Sequence, residues 1–125
     1  MAFVVTKVED KRNILIEFEG RVTVSDLEKS REALKAILAE SDKYRTSLVD
    51  MRRANLDVST IDIHDFILSQ KSELPDGFLV AIIVQQKDWG NAIFAETVAY
   101  NRGISLRTFQ NSTLAYDWLG IGDEK

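Results

Sequence analysis

A chain of 125 residues is one domain by size, 1–125, and its 45% hydrophobic and 29% charged residues describe a globular protein able to close a core. A net charge of −4 without any basic run disfavours both nucleic acid and anionic lipid surfaces, and no nucleic-acid partner is expected. The absence of cysteine removes thiol nucleophiles, disulfides and cysteine-ligated metals. The N-terminal stretch lacks the charged and then apolar run of a signal peptide, and the longest apolar run, Phe78 to Val84, is too short to span a bilayer. A cytoplasmic chain without a transmembrane segment is expected.

Phe3 to Val8 and Ile14 to Phe18 read as two strands joined by the polar turn Glu9 to Asn13, with Ile14, Ile16 and Phe18 on one face. Gly20 is expected to end the second strand. Ser25-Asp26-Leu27-Glu28 has the form of a capping box. Behind it Leu27, Leu34, Ile37 and Leu38 recur at helical spacing, and Glu28, Lys29, Arg31, Glu32 and Lys35 make the wet face.

A buried strand over Arg45 to Met51 follows, then a polar connection from Arg52 to Val58. Ser59 to Asp62 repeats the capping pattern with an aspartate in the distal place, opening a second helix whose stripe is Ile63, Phe66 and Ile67. Pro75-Asp76-Gly77 marks a turn. Phe78 to Val84, apolar throughout, reads as a strand buried on both faces, which means a parallel sheet covered by helices. Asp88 to Asn101 makes a third helix that stops at Gly103, with Phe94, Ala95, Val98 and Ala99 inward. Ile104 to Phe109 is the last strand, an edge because Arg107 breaks its apolar run. Asn111 or Ser112 caps a short final helix. The order ββαβαβαβα gives an α/β fold: a mixed, mainly parallel sheet with helices on both faces.

In such sheets functional groups gather at the carboxyl ends of strands, here the stretch from Asp50 to Thr60. Arg52 and Arg53 are candidates to contact an anion or a partner, with Asp50 beside them. The simpler reading has Asp50 brace the loop through hydrogen bonds. His64 is the single histidine, and neither metal ligation nor catalysis is supported: zinc would need further nitrogen or acid ligands, and Ser59, His64 and Asp65 on one helical turn cannot form a triad. No nucleophile elbow or phosphate-binding glycine loop occurs. The expectation is therefore no catalytic residue, no metal and no cofactor.

The residues Gly20-Arg21-Val22-Thr23, Leu48-Val49-Asp50-Met51-Arg52, and Phe109 with Ala115 and Trp118-Leu119 resemble those of the SpoIIAA-like proteins. These are small bacterial relatives of the STAS domain of anti-sigma-factor antagonists, also compared with the Sec14 lipid-binding fold. The resemblance spans about Phe3 to Leu119 and implies a regulatory, non-enzymatic interaction module with a protein partner. It matches the phosphorylated motif of the antagonists to Val58-Ser59-Thr60-Ile61, where hydroxyls are present but the motif's acid and glycine are missing. Ser59 and Thr60 thus become candidates for phosphorylation or interaction. The Sec14 comparison implies the alternative, a carrier of a small apolar, lipid-like ligand held near Phe66, Ile67, Phe94 and Val98. A monomer or weak homodimer is expected, with Trp89 and then Tyr44 as interface candidates.

Overall fold

The computed structural model describes residues 2–70 and 74–122. Strand β1 (Phe3–Val8) turns through a short 3-10 segment and Arg12, whose φ is 53°, into β2 (Asn13–Val22). Then come α1 (Val24–Glu40), β3 (Thr46–Leu56), α2 (Thr60–Gln70), β4 (Leu79–Ile83), α3 (Trp89–Asn101), β5 (Ser105–Phe109) and α4 (Ser112–Leu119). The order of elements is the one read from periodicity.

The sheet is ordered β1-β2-β3-β4-β5, with β1 antiparallel to β2 and every later pair parallel. Each crossover steps one strand in the same direction, so crossovers of one hand place their helices on one side. Accordingly Leu27 and Leu34 of α1, Ile63 and Ile67 of α2, and Ala92, Ala95 and Val98 of α3 share one core with Ile14, Ile16, Met51 and Val80. Only α4 crosses to the other side, where Ala115, Tyr116 and Leu119 cover Leu48, Ala81 and Ile83. β4 lies between β3 and β5 and is buried on both faces, as its unbroken apolar run requires.

Several boundaries differ from the sequence reading. Gly20, at φ 76°, does not end β2 but sits inside it opposite Ala54, and the ladder continues to Val22. The first helix is capped two residues early: Thr23 accepts the N–H of Asp26, whose carboxylate takes the N–H of Thr23 at 2.9 Å. Those hydrogen bonds, chiefly the one from the Thr23 backbone, hold the Asp26 carboxyl below its ordinary pKa. Asn13 belongs to β2 rather than the turn, buried and accepting from the Thr46 hydroxyl at 2.8 Å. Tyr44 is only 3% exposed, so it is a core residue and not an interface aromatic.

The two sheet edges are finished differently. In β5 the Phe109 carbonyl points to β4, where it accepts from Val84, so the N–H groups of Leu106 and Thr108 point outward. Both are occupied: Leu106 donates to the Ile104 carbonyl at 3.1 Å, and Thr108 to the Glu96 carboxylate at 2.8 Å. The expected edge at Ile104 to Phe109 is therefore real and closed by side-chain and local bonds. At the other edge β1 carries Val4, 61% exposed.

Candidate functional site

β3 does not stop at Met51. It pairs with β2 as far as Leu56, so Arg52 and Arg53 stand on the strand and not on a loop. The pairing contains an irregularity: Glu17 pairs with Asp50, but Glu19 pairs with Arg53, leaving one extra residue in β3. A bulge of this kind disrupts the ladder locally and strands a backbone donor. Asp50 repairs it, since its Oδ1 accepts the backbone N–H of Arg52 at 3.0 Å. The same carboxylate takes Nε and a terminal nitrogen of Arg52 at 3.0 and 2.7 Å. Burial pushes the Asp50 carboxyl up, but these hydrogen bonds and the charges of Arg52 and Arg53 bring it net below its ordinary pKa. Asp50 braces backbone, as the simpler reading held, though on a bulged strand.

Arg53 is exposed and makes no hydrogen bond or ion pair among the described residues. It borders an open depression of about 580 Å³ with Val4, Glu17, Glu19, Asp50 and Arg52, on the part of the sheet that α4 leaves bare. Carboxylates (Glu17, Glu19, Asp50) and guanidinium groups (Arg52, Arg53) are mixed there, so the surface favours neither anions nor cations alone. A dipolar surface of this kind suits a protein partner better than a small phosphate.

Beyond Leu56 the chain turns into α2. Arg21 grips Asp57 through Nε and a terminal nitrogen at 2.9 and 2.6 Å, and Asp57 N–H donates to the Val22 carbonyl, tying the ends of β2 and β3 together. The predicted capping exchange is present: Asp62 N–H reaches Ser59 Oγ at 3.1 Å, and Ser59 N–H reaches Asp62 Oδ2 at 3.0 Å. Ser59 and Thr60 are both exposed. Thr60, first residue of the helix, keeps its hydroxyl out of any hydrogen bond among the described residues. Beside it Ile61 is 72% exposed, a large apolar side chain given to solvent at the head of the helix. Its exposure escaped sequence reasoning because a single isoleucine in a first turn does not disturb the helical stripe.

Of the four residues expected to line an apolar pocket, Phe66 and Ile67 do so, bordering a hollow of about 80 Å³ under α2 and α3. Phe94 and Val98 lie outside it; Val98 is buried in the core, and Phe94 is half-buried with its ring 6.5 Å from His64. His64 is half-buried, 3.4 Å from Asp65. Trp89 opens α3, half-buried against the core. Among the described residues no group of histidine, aspartate and glutamate is placed to hold a metal ion, and no helix is long and apolar enough to cross a membrane.

No family model and no curated protein matches this chain. Solved structures do. An uncharacterized protein from the DUF3478 family with a SpoIIAA-like fold, from Shewanella loihica PV-4, aligns at a TM-score of 0.59 and 21% identity, covering 94% of this chain and 92% of that one. An anti-sigma factor antagonist from Mycobacterium paratuberculosis aligns at 0.67 and 8% identity, again over 94% and 92%. The anti-sigma factor antagonist SpoIIAA in its unphosphorylated form aligns at 0.56 and 12%, over 84% and 86%. Each alignment covers 84% or more of this chain at a TM-score of 0.56 or above, and this chain accordingly adopts a SpoIIAA-like fold.

Proposed function

We propose that this protein is a non-enzymatic regulatory module, cytoplasmic, that docks a protein partner on the surface running from Arg52 to Ile61. The observation that carries the reading is Ile61, 72% exposed beside two exposed hydroxyls at the head of α2. Covered by a partner, this side chain would be desolvated, with its polar neighbours forming the rim around it. Two of the structurally similar proteins are described as anti-sigma factor antagonists, which favours a protein partner.

Phosphorylation would act as the switch, and Thr60 is the better acceptor. A phosphate on Ser59 would displace the cap and crowd the Asp62 carboxylate, which is bonded to Ser59 N–H. On Thr60 it would meet the positive end of the helix without breaking that exchange. The module works as a monomer or weak closed dimer, consistent with a β5 edge whose outward donors are taken.

The rival reading is a carrier of a lipid-like ligand under α2 and α3. It has about 80 Å³ to work with, against the 300–1,000 Å³ typical of ligand pockets, roughly speaking. Native mass spectrometry separates the two: a clean apo mass supports the module, and a co-purifying lipid-sized mass supports the carrier. The module itself is tested by quantitative pull-down with wild type and Ile61→Asp. Preys lost selectively from the mutant support the surface, and an unchanged prey set removes it.

A further inference from the structure

The edge at β1 is open where the edge at β5 is closed. Ala2 accepts the N–H of Glu19 at 2.8 Å, and the pairing runs without a break from Phe3 opposite Phe18 to Val8 opposite Asn13. Backbone groups alternate in direction along an antiparallel strand, so Val4, Thr6 and Val8 turn their N–H and C=O to β2. Phe3, Val5 and Lys7 turn theirs away from the sheet. Among the described residues none of these outward groups has a partner.

Sheet edges are ordinarily guarded by proline, a bulge, a covering segment or charge. The six residues of β1 include no proline and no bulge, and Lys7 is the one charged side chain. The rest are phenylalanine, valine and threonine, all strong strand formers. A segment of this composition on an open edge is a template for a further strand. Beside the open groups, on the bare side of the sheet, stand Val4, 61% exposed, and Thr6, also exposed.

We propose that this edge pairs with β1 of a second copy of the chain, antiparallel, about a two-fold axis through Val5. The register argues for this occupant. With Val5 set against Val5 of the second copy, Phe3 falls opposite Lys7 and Lys7 opposite Phe3, so all the outward donors and acceptors of these residues are bonded. A slip of two residues leaves Phe3 or Lys7 facing a residue outside the strand. The favoured register also holds the two Lys7 side chains about 14 Å apart along the strands, beyond the screening length of about 8 Å at physiological salt. On the bare side Val4 lies against Thr6 of the second copy, and each covers the other. The pairing consumes both β1 edges. The outer edges of the doubled sheet are then β5, whose donors are taken, so growth stops at the dimer. No residue from Arg52 to Ile61 takes part, and the pairing stands or falls independently of the docking surface.

The chain has no cysteine of its own, so disulfide trapping can read the register. Val4 and Thr6 are exposed, and Val4→Cys and Thr6→Cys leave the core untouched. In the proposed pairing these positions are directly opposite, about 4.5 Å apart at Cα, within disulfide reach. Two copies of the same variant hold their cysteines about 8 Å apart, beyond that reach. Under mild oxidation a mixture of the two variants should therefore cross-link about tenfold faster than either alone. Sedimentation equilibrium of the wild type should show monomer passing to dimer with a Kd on the order of 100 μM, weak because the interface is small, and no larger species. Equal trapping in mixed and unmixed samples would overturn the register, and with it the proposal. A wild type that stays monomeric to millimolar concentration, with no trapping in the mixture, would overturn the pairing and leave the edge to a foreign strand or to water.

Discussion

On one side of the sheet Ile14, Ile16 and Val80 lie under three helices; on the other, Val4, Glu17 and Arg53 face solvent beyond the reach of α4. The difference follows from strand order. Sequential strands send every crossover helix to the same side, and the one helix left over packs chiefly on β4 and β5, where the chain ends its last strand. The bare part of the other side is then free to carry charge, and it does so where the β3 bulge brings Asp50, Arg52 and Arg53 together. A protein of this topology commits one side of its sheet to the core and leaves about half of the other exposed.

The largest effect should come from the small core under α4. Ile83 is fully buried there, and Ile83→Ala should cost about 3–4 kcal/mol in urea unfolding. Val4→Ala on the bare part should cost less than about 0.5 kcal/mol. Equal costs would mean that the open half is covered in solution, by a partner copy or otherwise.

Next in size is the closed edge. Glu96→Ala removes the acceptor for both the N–H and the hydroxyl of Thr108, a loss of about 1–2 kcal/mol. It also frees a backbone donor on β5, and sedimentation should show more self-association than for wild type. A mutant that is destabilised yet as monomeric as wild type would show that Arg107 and the neighbouring side chains suffice to guard the edge.

Ser59→Ala should lower stability by about 1 kcal/mol, because the cap to Asp62 N–H is lost. Thr60→Ala should leave stability nearly unchanged, and this split would separate the capping hydroxyl from the exposed one beside it. Matching losses in the two mutants would erase it.

The smallest effect concerns the charged bulge. The folded-state pKa of Asp50 lies below its ordinary value of 3.8, so its contribution to stability is full above that value and fades as pH falls through the folded one. The carboxyl 13C shift of Asp50 should therefore titrate with a midpoint under 3.8. Arg52→Gln leaves the burial and removes the pairing charge and its hydrogen bonds, so the midpoint should rise. A midpoint that stays put would show that the ion pair does not persist in solution.

Much of this was readable in local sequence, because helices and turns are set by groups within four residues of one another. The apolar spacing of Leu27, Leu34 and Ile37, the Ser59–Asp62 exchange, the cap at Asn111 and the stop at Gly103, φ 77°, all came from such short-range chemistry. Strand pairing belongs to another range. β3 outruns its apolar stretch because β2 offers it partners from Glu19 to Val22, 34 residues earlier, and no feature of Arg52 to Leu56 announces this. The same distance hides the bulge, which arises from two registers meeting at Glu17 and Glu19 and turns Asp50 from a loop brace into a brace for a strand. Tyr44 reads as amphipathic on its own and is buried only because the sheet and helices close around it. Asp88 and Glu96 are two ordinary helix acids until packing leaves one buried oxygen without a donor and sets the other against the edge of β5. Sequence by itself determined which elements form and in what order; the contacts among those elements decided where charge is exposed, where it is buried, and which edge is closed.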